Sequence, residues 1–161
     1  PEGKLFQTFS RGMKMKLSLA AALSHGAKLL ILDEPTGGLD PIARDDLLDV
    51  LMEFTRDEEH SILISSHIIS DLEKICDYVA FLHKGRLLFC EEKDRLEEGY
   101  GVVTLRREDF EALLPEAVLG SRDTGYGVEA LVRRDLAPAG LKMERAGIER
   151  IMVAMAKEAG K

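Results

Sequence analysis

The chain has 161 residues, of which 45% are hydrophobic and 32% are charged, a composition typical of one soluble domain or of a domain with a small appendage. No apolar run approaches the roughly 20 residues that a membrane-spanning helix requires, so a membrane role would need a partner protein. The formal net charge of -7 disfavours a nucleic-acid-binding surface. Cys76 and Cys90 lie in apolar surroundings without CxxC spacing, which predicts buried, reduced thiols.

The first predicted helix follows a short lead-in over residues 1–9 and runs to about Ser24. Ser10 is a good N-cap residue, and Gly26 supplies the break that ends the helix. The start of this helix would present the Ser10 hydroxyl, the Gly12 N–H and the positive end of the helix dipole. Together these groups are typical of a helix terminus that faces an anion.

The central stretch of the sequence is an apolar run at residues 29–32, Leu-Leu-Ile-Leu, which is followed by two acids. The unbroken run predicts a strand buried on both faces, in the middle of a parallel sheet. Asp33 and Glu34 would then lie at the carboxyl end of that strand, where open α/β sheets place their ligands. Because an unpaired carboxylate leaves water at a cost of roughly several kcal/mol, the pair indicates cation or phosphate chemistry.

A helix is predicted to begin at Asp40 and Pro41, because Asp can cap a helix and Pro fits its first position. This helix should end near Arg56. A second aliphatic strand is predicted over residues 61–66, and His67 falls directly at its carboxyl end. His67 should therefore share a sheet edge with the two acids.

The next elements are predicted from caps and turn residues. Ser70 and Glu73 have the spacing of a capping box, which would open a helix that runs through Cys76. The elements expected after it are strands at 78–82 and 86–90, a tight turn at 83–85 between them, and a helix at 91–98. The Gly-Tyr-Gly break at residues 99–101 predicts a domain boundary.

The remaining sequence predicts a small α+β unit. Its expected elements are a strand at 102–106, a helix at 108–114, a strand at 129–134 and a terminal helix at 147–157. The terminal helix carries one apolar stripe, formed by Ile148, Ile151, Met152 and Met155. The stripe fits either the core of this unit or a dimer or regulatory interface. Gly125 and Gly127 match part of a dinucleotide fingerprint, but neither a preceding strand nor a following long helix is predicted, so we reject that interpretation.

Three segments, in this order, resemble motifs of the ATP-binding-cassette (ABC) ATPases. Residues 9–13, Phe-Ser-Arg-Gly-Met, resemble the signature motif; residues 29–40 resemble the Walker B strand and the D-loop; residues 62–67 resemble the strand that carries the switch histidine. The resemblance implies an α/β fold: a partial P-loop NTPase (RecA-like) parallel sheet in residues 1–98, with a small α+β extension in residues 99–161. The phosphate-loop pattern G-x-x-x-x-G-K-[ST] does not occur in the 161 residues, so we expect the Walker A half to be missing from this sequence.

The resemblance assigns a role in ATP hydrolysis to each polar residue at the strand ends. Asp33 would hold Mg²⁺ through a coordinated water, as the Walker B aspartate does. Glu34 would act as the general base toward the attacking water. His67 would contact the γ-phosphate and orient that water.

The resemblance also implies contacts with a nucleotide held by a second subunit. Ser10, Gly12 and Met13 of the signature segment would bind ATP carried by the opposite subunit of a dimer. Asp40 of the D-loop would cross the dimer interface and couple the two ATP sites. Arg11 and Met13 stand where the commonest signature motif has Gly and Gln.

The function implied by the family is that of the ATP-hydrolysing subunit of an ABC transporter, with ATP and Mg²⁺ as cofactors. Its expected partners are a second ATPase subunit and a transmembrane permease; nucleic acid binding and direct membrane insertion are not expected. It would act in the cytoplasm, peripherally on the inner face of the cell membrane. Without a phosphate loop, this stretch alone should be inactive. Two alternatives stay open: an ABC-type ATPase of translation or DNA repair, or a non-catalytic interaction module.

Overall fold

The computed structural model describes residues 5–160, which form two compact units. The first unit ends at Ile75 and the second begins at Cys76. The boundary predicted at residues 99–101 differs from this division, because there a helix that ends at Gly99 passes directly into a strand that begins at Tyr100. Within the described residues, no helix combines the length and the apolar content needed to cross a bilayer.

The first unit is an α/β structure. Its elements in chain order are a 3-10 turn at Phe6–Thr8, helix α1 (Arg11–Leu23), strand β1 (Leu29–Asp33), helix α2 (Pro41–Phe54), strand β2 (Ser61–Ser65) and helix α3 (Ile69–Ile75). The predicted lead-in lies partly outside the described residues. β1 and β2 pair in parallel, with Asp33 opposite Ser65 at their carboxyl ends. The predicted parallel strands and both helix starts are therefore confirmed.

The core of the first unit lies on one face of the two strands. Its buried members are Leu19 of α1, Leu30 of β1, and Leu47 and Leu51 of α2. On the other face, Ile31 is 71% exposed and its cross-strand neighbour Leu63 is 63% exposed. The prediction that β1 is buried on both faces is wrong, because successive strand side chains point to opposite faces and α1 and α2 pack on only one of them.

Helix α3 is joined to α2 by an ion pair whose acidic member is buried. Asp71 is 1% exposed and accepts a hydrogen bond of 2.6 Å from Arg44 Nε. Arg44 Nη2 also donates to the hydroxyl of Ser70, at 2.8 Å. The predicted capping box is wrong: α3 begins at Ile69, so Ser70 lies inside the first turn and its hydroxyl serves Arg44 instead of the helix terminus.

The second unit contains a hairpin and a four-stranded antiparallel sheet. The hairpin consists of β3 (Tyr78–His83) and β4 (Arg86–Glu92). The elements that follow are α4 (Lys93–Gly99), β5 (Tyr100–Leu105), α5 (Arg107–Glu111), a 3-10 turn at Pro115–Ala117, β6 (Val118–Asp123), β7 (Val128–Arg133), β8 (Glu144–Arg145) and α6 (Ile148–Glu158). The four-stranded sheet has the order β6-β7-β5-β8. Lys84 and Gly85 make the predicted hairpin turn, with φ values of 47° and 74°.

Two interpretations from the sequence are decided inside the second unit. Gly125 and Gly127 belong to the loop between β6 and β7, which is closed by a hydrogen bond from Thr124 N to Gly127 O of 2.9 Å; they form a hairpin turn, as the rejection of the dinucleotide fingerprint requires. Both cysteines are free thiols, but the prediction that both are buried is wrong for Cys90. Cys90 is exposed on β4, whereas partial burial raises the pKa of the Cys76 thiol.

Candidate functional site

The carboxyl end of β1 turns sharply at Glu34. This residue has a φ of 46°, in the left-handed region that residues other than glycine seldom adopt. Its N–H is held by β2, because it lies 3.1 Å from both the carbonyl oxygen and the hydroxyl of Ser65. The parallel pairing of β1 and β2 therefore fixes the main chain of Glu34, from which the acidic side chain projects at the end of the sheet. Strained backbone of this kind costs about 1–3 kcal/mol and tends to occur at functional sites.

Glu34 and His67 form a direct pair at this edge of the sheet. His67 Nδ1 lies 2.7 Å from Glu34 Oε2, close enough for the ring N–H to donate to the carboxylate. The Glu34 side chain is 39% exposed and that of His67 is 73% exposed. The pair is thus accessible to a ligand. The contact with Glu34 involves Nδ1 of His67 and does not involve Nε2.

Asp33 is bound by a residue to which the sequence assigned no role. The Ser65 hydroxyl donates a short hydrogen bond to Asp33 Oδ1 while it also faces the Glu34 N–H. One hydroxyl therefore touches both neighbouring acidic residues, at the side chain of one and the main chain of the other. Only the strand register, which sets Asp33 opposite Ser65, could have indicated this contact.

The loop after Glu34 is a compact double turn that leads into α2. Gly37 N donates to Glu34 O at 3.1 Å, and Leu39 N donates to Thr36 O at 3.2 Å. Asp40 then caps α2, because its Oδ1 accepts hydrogen bonds from the N–H groups of residues 42 and 43 at 3.1 and 3.0 Å. The predicted capping role of Asp40 is confirmed.

The N-terminus of α1 lies against the same loop. Ser10 caps this helix by accepting a hydrogen bond of 3.2 Å from Met13 N. A Cβ atom placed on Gly12 would lie 3.5 Å from Ala43 Cβ and 3.7 Å from Leu39 Cδ2. The segment of residues 10–13 and the loop that follows the two acids therefore form one continuous part of the surface of the first unit.

Few atoms at the ends of β1 and β2 could bind a metal ion, and those of Asp33 and Ser65 are oxygen atoms. In residues 5–160, no group of three or more histidine, cysteine, aspartate or glutamate side chains could hold a metal ion. Asp33 supplies one carboxylate beside the Ser65 hydroxyl. Such a donor set suits Mg²⁺, which keeps several waters and is bound through one or two carboxylates together with substrate phosphates.

Comparison with known proteins gives consistent matches. The family model described as "ABC transporter" matches residues 2–37. An uncharacterized ABC transporter ATP-binding protein, YhcH of Bacillus subtilis, is 45% identical over 82 residues, or 51% of this chain and 27% of YhcH. The lantibiotic transport ATP-binding protein SrtF of Streptococcus pyogenes is 44% identical over 89 residues, or 55% of this chain and 38% of SrtF. The bacitracin transport ATP-binding protein BcrA of Bacillus licheniformis is 46% identical over 85 residues, or 53% of this chain and 28% of BcrA.

A solved structure shares the fold. It is described as "an inward-facing conformation of a putative metal-chelate type ABC transporter", and it is matched with a TM-score of 0.53 and 22% identity over 80% of this chain and 49% of that chain. The α/β fold class predicted from the motifs is confirmed by this likeness. The chain spans only 27%, 38% and 28% of the three sequence relatives described above. Over about half its length, this chain is similar to the ATP-binding proteins of ABC transporters, as its motifs predicted.

Proposed function

We propose that the chain carries the hydrolytic edge and the signature segment of an ABC transporter ATPase subunit. The observation that supports this most directly is the 2.7 Å contact between Glu34 and His67, at the adjoining ends of two parallel strands. A carboxylate can accept a proton from water, and an imidazole held against it on an open sheet edge can contact the phosphate.

Each group of the pair has a separate task in this proposal. Glu34 accepts the proton of the attacking water, and its backbone, held by Ser65, keeps the carboxylate at the sheet edge. With a proton on both ring nitrogens, His67 would donate a hydrogen bond from Nδ1 to Glu34, which fixes the ring, and another from Nε2 to the terminal phosphate. The nucleotide must approach from solvent, since both side chains are accessible.

Asp33 is the residue that would hold Mg²⁺. The ion, when bound, neutralises charge on the phosphate oxygens. Asp33 contributes its carboxylate, and the Ser65 hydroxyl keeps that carboxylate in place by donating to Oδ1. The ligands of the ion itself would be the nucleotide and water molecules, one of which Asp33 would hold.

The second part of the proposal concerns partners. Ser10, Gly12 and Met13 would contact ATP held by a second ATPase subunit, and Asp40 would face the interface between the subunits. SrtF and BcrA are named as transport ATP-binding proteins, which supports a role beside a membrane permease, on the cytoplasmic face of the membrane. Substrate transport would then be driven by closure and release of the two subunits around ATP.

The proposal includes an expectation for the 161 residues by themselves. They contain no G-x-x-x-x-G-K-[ST] pattern, so the backbone cradle that this loop offers to phosphates is not supplied by them. We therefore expect hydrolysis only where these residues work together with a phosphate loop.

The test is a substitution of Glu34 in a protein in which this chain is joined to a phosphate loop. Glu34→Gln removes the proton acceptor but keeps the size and polarity of the side chain, so we expect a loss of turnover of about 10²–10⁴-fold with nucleotide binding retained. ATP hydrolysis and equilibrium binding of a labelled nucleotide measure the two effects. Glu58→Gln, at an exposed turn, is the matched control. Turnover by the Glu34 variant at the rate of this control would refute the assigned base.

A further inference from the structure

The guanidinium group of Arg11 lies against two glycines of the loop that follows Glu34. A Cβ atom placed on Gly38 would be 2.7 Å from Arg11 Nη1, 3.0 Å from Cζ and 3.3 Å from Nε. A Cβ atom on Gly37 would be 3.6 Å from Arg11 Nη2. The space that a side chain would need at Gly38 is thus filled by the arginine, which approaches the backbone closely because glycine leaves it bare.

The loop beneath this guanidinium group is anchored from the inside and begins at the proposed base. Thr36 is 1% exposed, whereas Gly38 is exposed and has a φ of 69°. The hydrogen bond from Gly37 N to Glu34 O ties the loop to the strained residue. Arg11, itself exposed, therefore contacts the exposed side of a segment whose inner side is buried and which follows Glu34 directly.

Arg11 contacts the loop by packing against its glycines and not through an ion pair. Among the described residues of the first unit, the side chains that form salt bridges do not include Arg11. A guanidinium group is planar and weakly hydrated, so it can lie on exposed backbone in a way that the compact ammonium group of lysine cannot. The contact therefore depends on the shape of the arginine side chain and not on its charge alone.

We propose that Arg11 is a positioning residue, which holds the loop of residues 35–39 and thereby keeps Glu34 in the left-handed conformation that brings its carboxylate to His67. This inference rests on the proposed hydrolytic function. Through this contact, the first residue of α1 would influence the position of the proposed base, Glu34, in the same chain. When Arg11 is removed, Glu34 should remain present but lose its fixed placement.

The first test is kinetic and uses the same phosphate-loop protein. We expect Arg11→Ala to lower kcat by about tenfold, with KM for MgATP changed less than about twofold, because misplacement of a catalytic group slows the step without removing binding contacts. Arg11→Lys should restore less than half of the lost kcat, since it keeps the charge but not the planar group. Arg56→Ala, an exposed arginine of the same unit, is the matched control. A full rescue by lysine, or a change in KM alone, would overturn the positioning role.

The second test is a double-substitution cycle between positions 11 and 38. Gly38→Ala should lower kcat through the strain of its positive φ and because the added methyl group displaces the flexible Arg11 guanidinium group from the loop. With Ala at position 11 only the backbone strain remains, so the effect of Gly38→Ala should shrink by about fivefold. Effects that simply multiply would mean that the two residues act independently and would refute the inference.

A third measurement needs no hydrolysis and uses the 161-residue chain itself. We expect the amides of Gly37 and Leu39, which close the two turns, to exchange with solvent at least about fivefold faster in Arg11→Ala than in Arg56→Ala. The amides of β5, in the other unit, should not change. Equal protection of the loop in both variants would overturn the inference. If Glu34→Gln retains turnover while loop protection depends on Arg11, the hydrolytic proposal fails and the structural link stands.

Discussion

Glu129, in the second unit, forms ion pairs with two arginines. Its Oε1 lies 2.6 Å from Arg150 Nη2 and 2.8 Å from Arg122 Nε. The hydrogen bond from Arg150 is the main cause that lowers the pKa of Glu129 below its ordinary value, and the charges of both arginines add to it. A carboxyl with a depressed pKa in the folded state stabilises the fold above its unfolded pKa, and this contribution disappears as the pH falls through the folded value.

We therefore expect the effect of Glu129→Gln on stability to depend on pH in one direction. The variant should be less stable than the wild type at pH 7, because it loses the charged pairing with Arg150. The difference should shrink as the pH falls below about 4, where glutamate becomes protonated. Urea unfolding at pH values between about 3 and 7, followed by a signal from the second unit, measures the difference in free energy of unfolding between the variant and the wild type. Glu111→Gln, at an exposed position of α5, is the control. A difference that is constant over this range would contradict the assignment.

At the same scale, the sequence predicted the acids and the histidine of the site but not their supports. Asp33, Glu34 and His67 could be placed because carboxyl ends of neighbouring parallel strands meet at one edge. Ser65 and Arg11 could not, because their contacts depend on the exact register and on side-chain conformation. No periodicity or spacing indicates that a guanidinium group will lie on a pair of glycines 26 or 27 positions further along.

Helix α6 shows how far an apolar period carries a prediction. The stripe proposed from its sequence includes Ile148 and Ile151, which are both fully buried, so the packing of this helix against its own unit is confirmed. Strands β6 and β8 escaped prediction. The sequence of β6, Val-Leu-Gly-Ser-Arg-Asp, contains a glycine and ends in polar residues, and β8 has only two residues, so neither shows the alternation that identifies a strand.

Substitutions along α6 should separate its buried side from its exposed side. Ile151→Ala leaves a cavity at a position of 0% exposure and should reduce the free energy of unfolding of the second unit by about 2–5 kcal/mol. Val153→Ala, on the same helix at 48% exposure, should change it by less than about 1 kcal/mol. Chemical denaturation of the two variants measures the contrast. Similar losses for both would show that α6 does not pack as described.

On the scale of the whole chain, the outer face of β1 and β2 is an exposed apolar surface. Leu29, Ile31 and Leu63 are 55%, 71% and 63% exposed, and the last two are neighbours across the strands. Large apolar side chains grouped on an exposed strand face favour association with other molecules. The apolar run does not by itself identify the uncovered face, because a run of four aliphatic residues looks the same whether one face of the strand is covered or both are.

This face should make the 161-residue chain associate with itself. We expect the sedimentation coefficient to rise with protein concentration, and Ile31→Thr combined with Leu63→Thr to suppress that rise, since threonine keeps the strand preference while it reduces the apolar surface. Leu114→Thr, at a site of 58% exposure in the second unit, is the control. A wild-type chain that stays monomeric over the same concentrations would contradict this expectation.

The direct passage from α4 into β5 has a practical consequence for anyone who wishes to divide this polypeptide. Leu96 of α4 is 4% exposed, and α4 packs against α6 at the far end of the chain. A chain that ends at residue 98 would lack α6, so the apolar face of α4 would be exposed to solvent. Division after Ile75 coincides with the boundary between the two compact units, so each part keeps its own core.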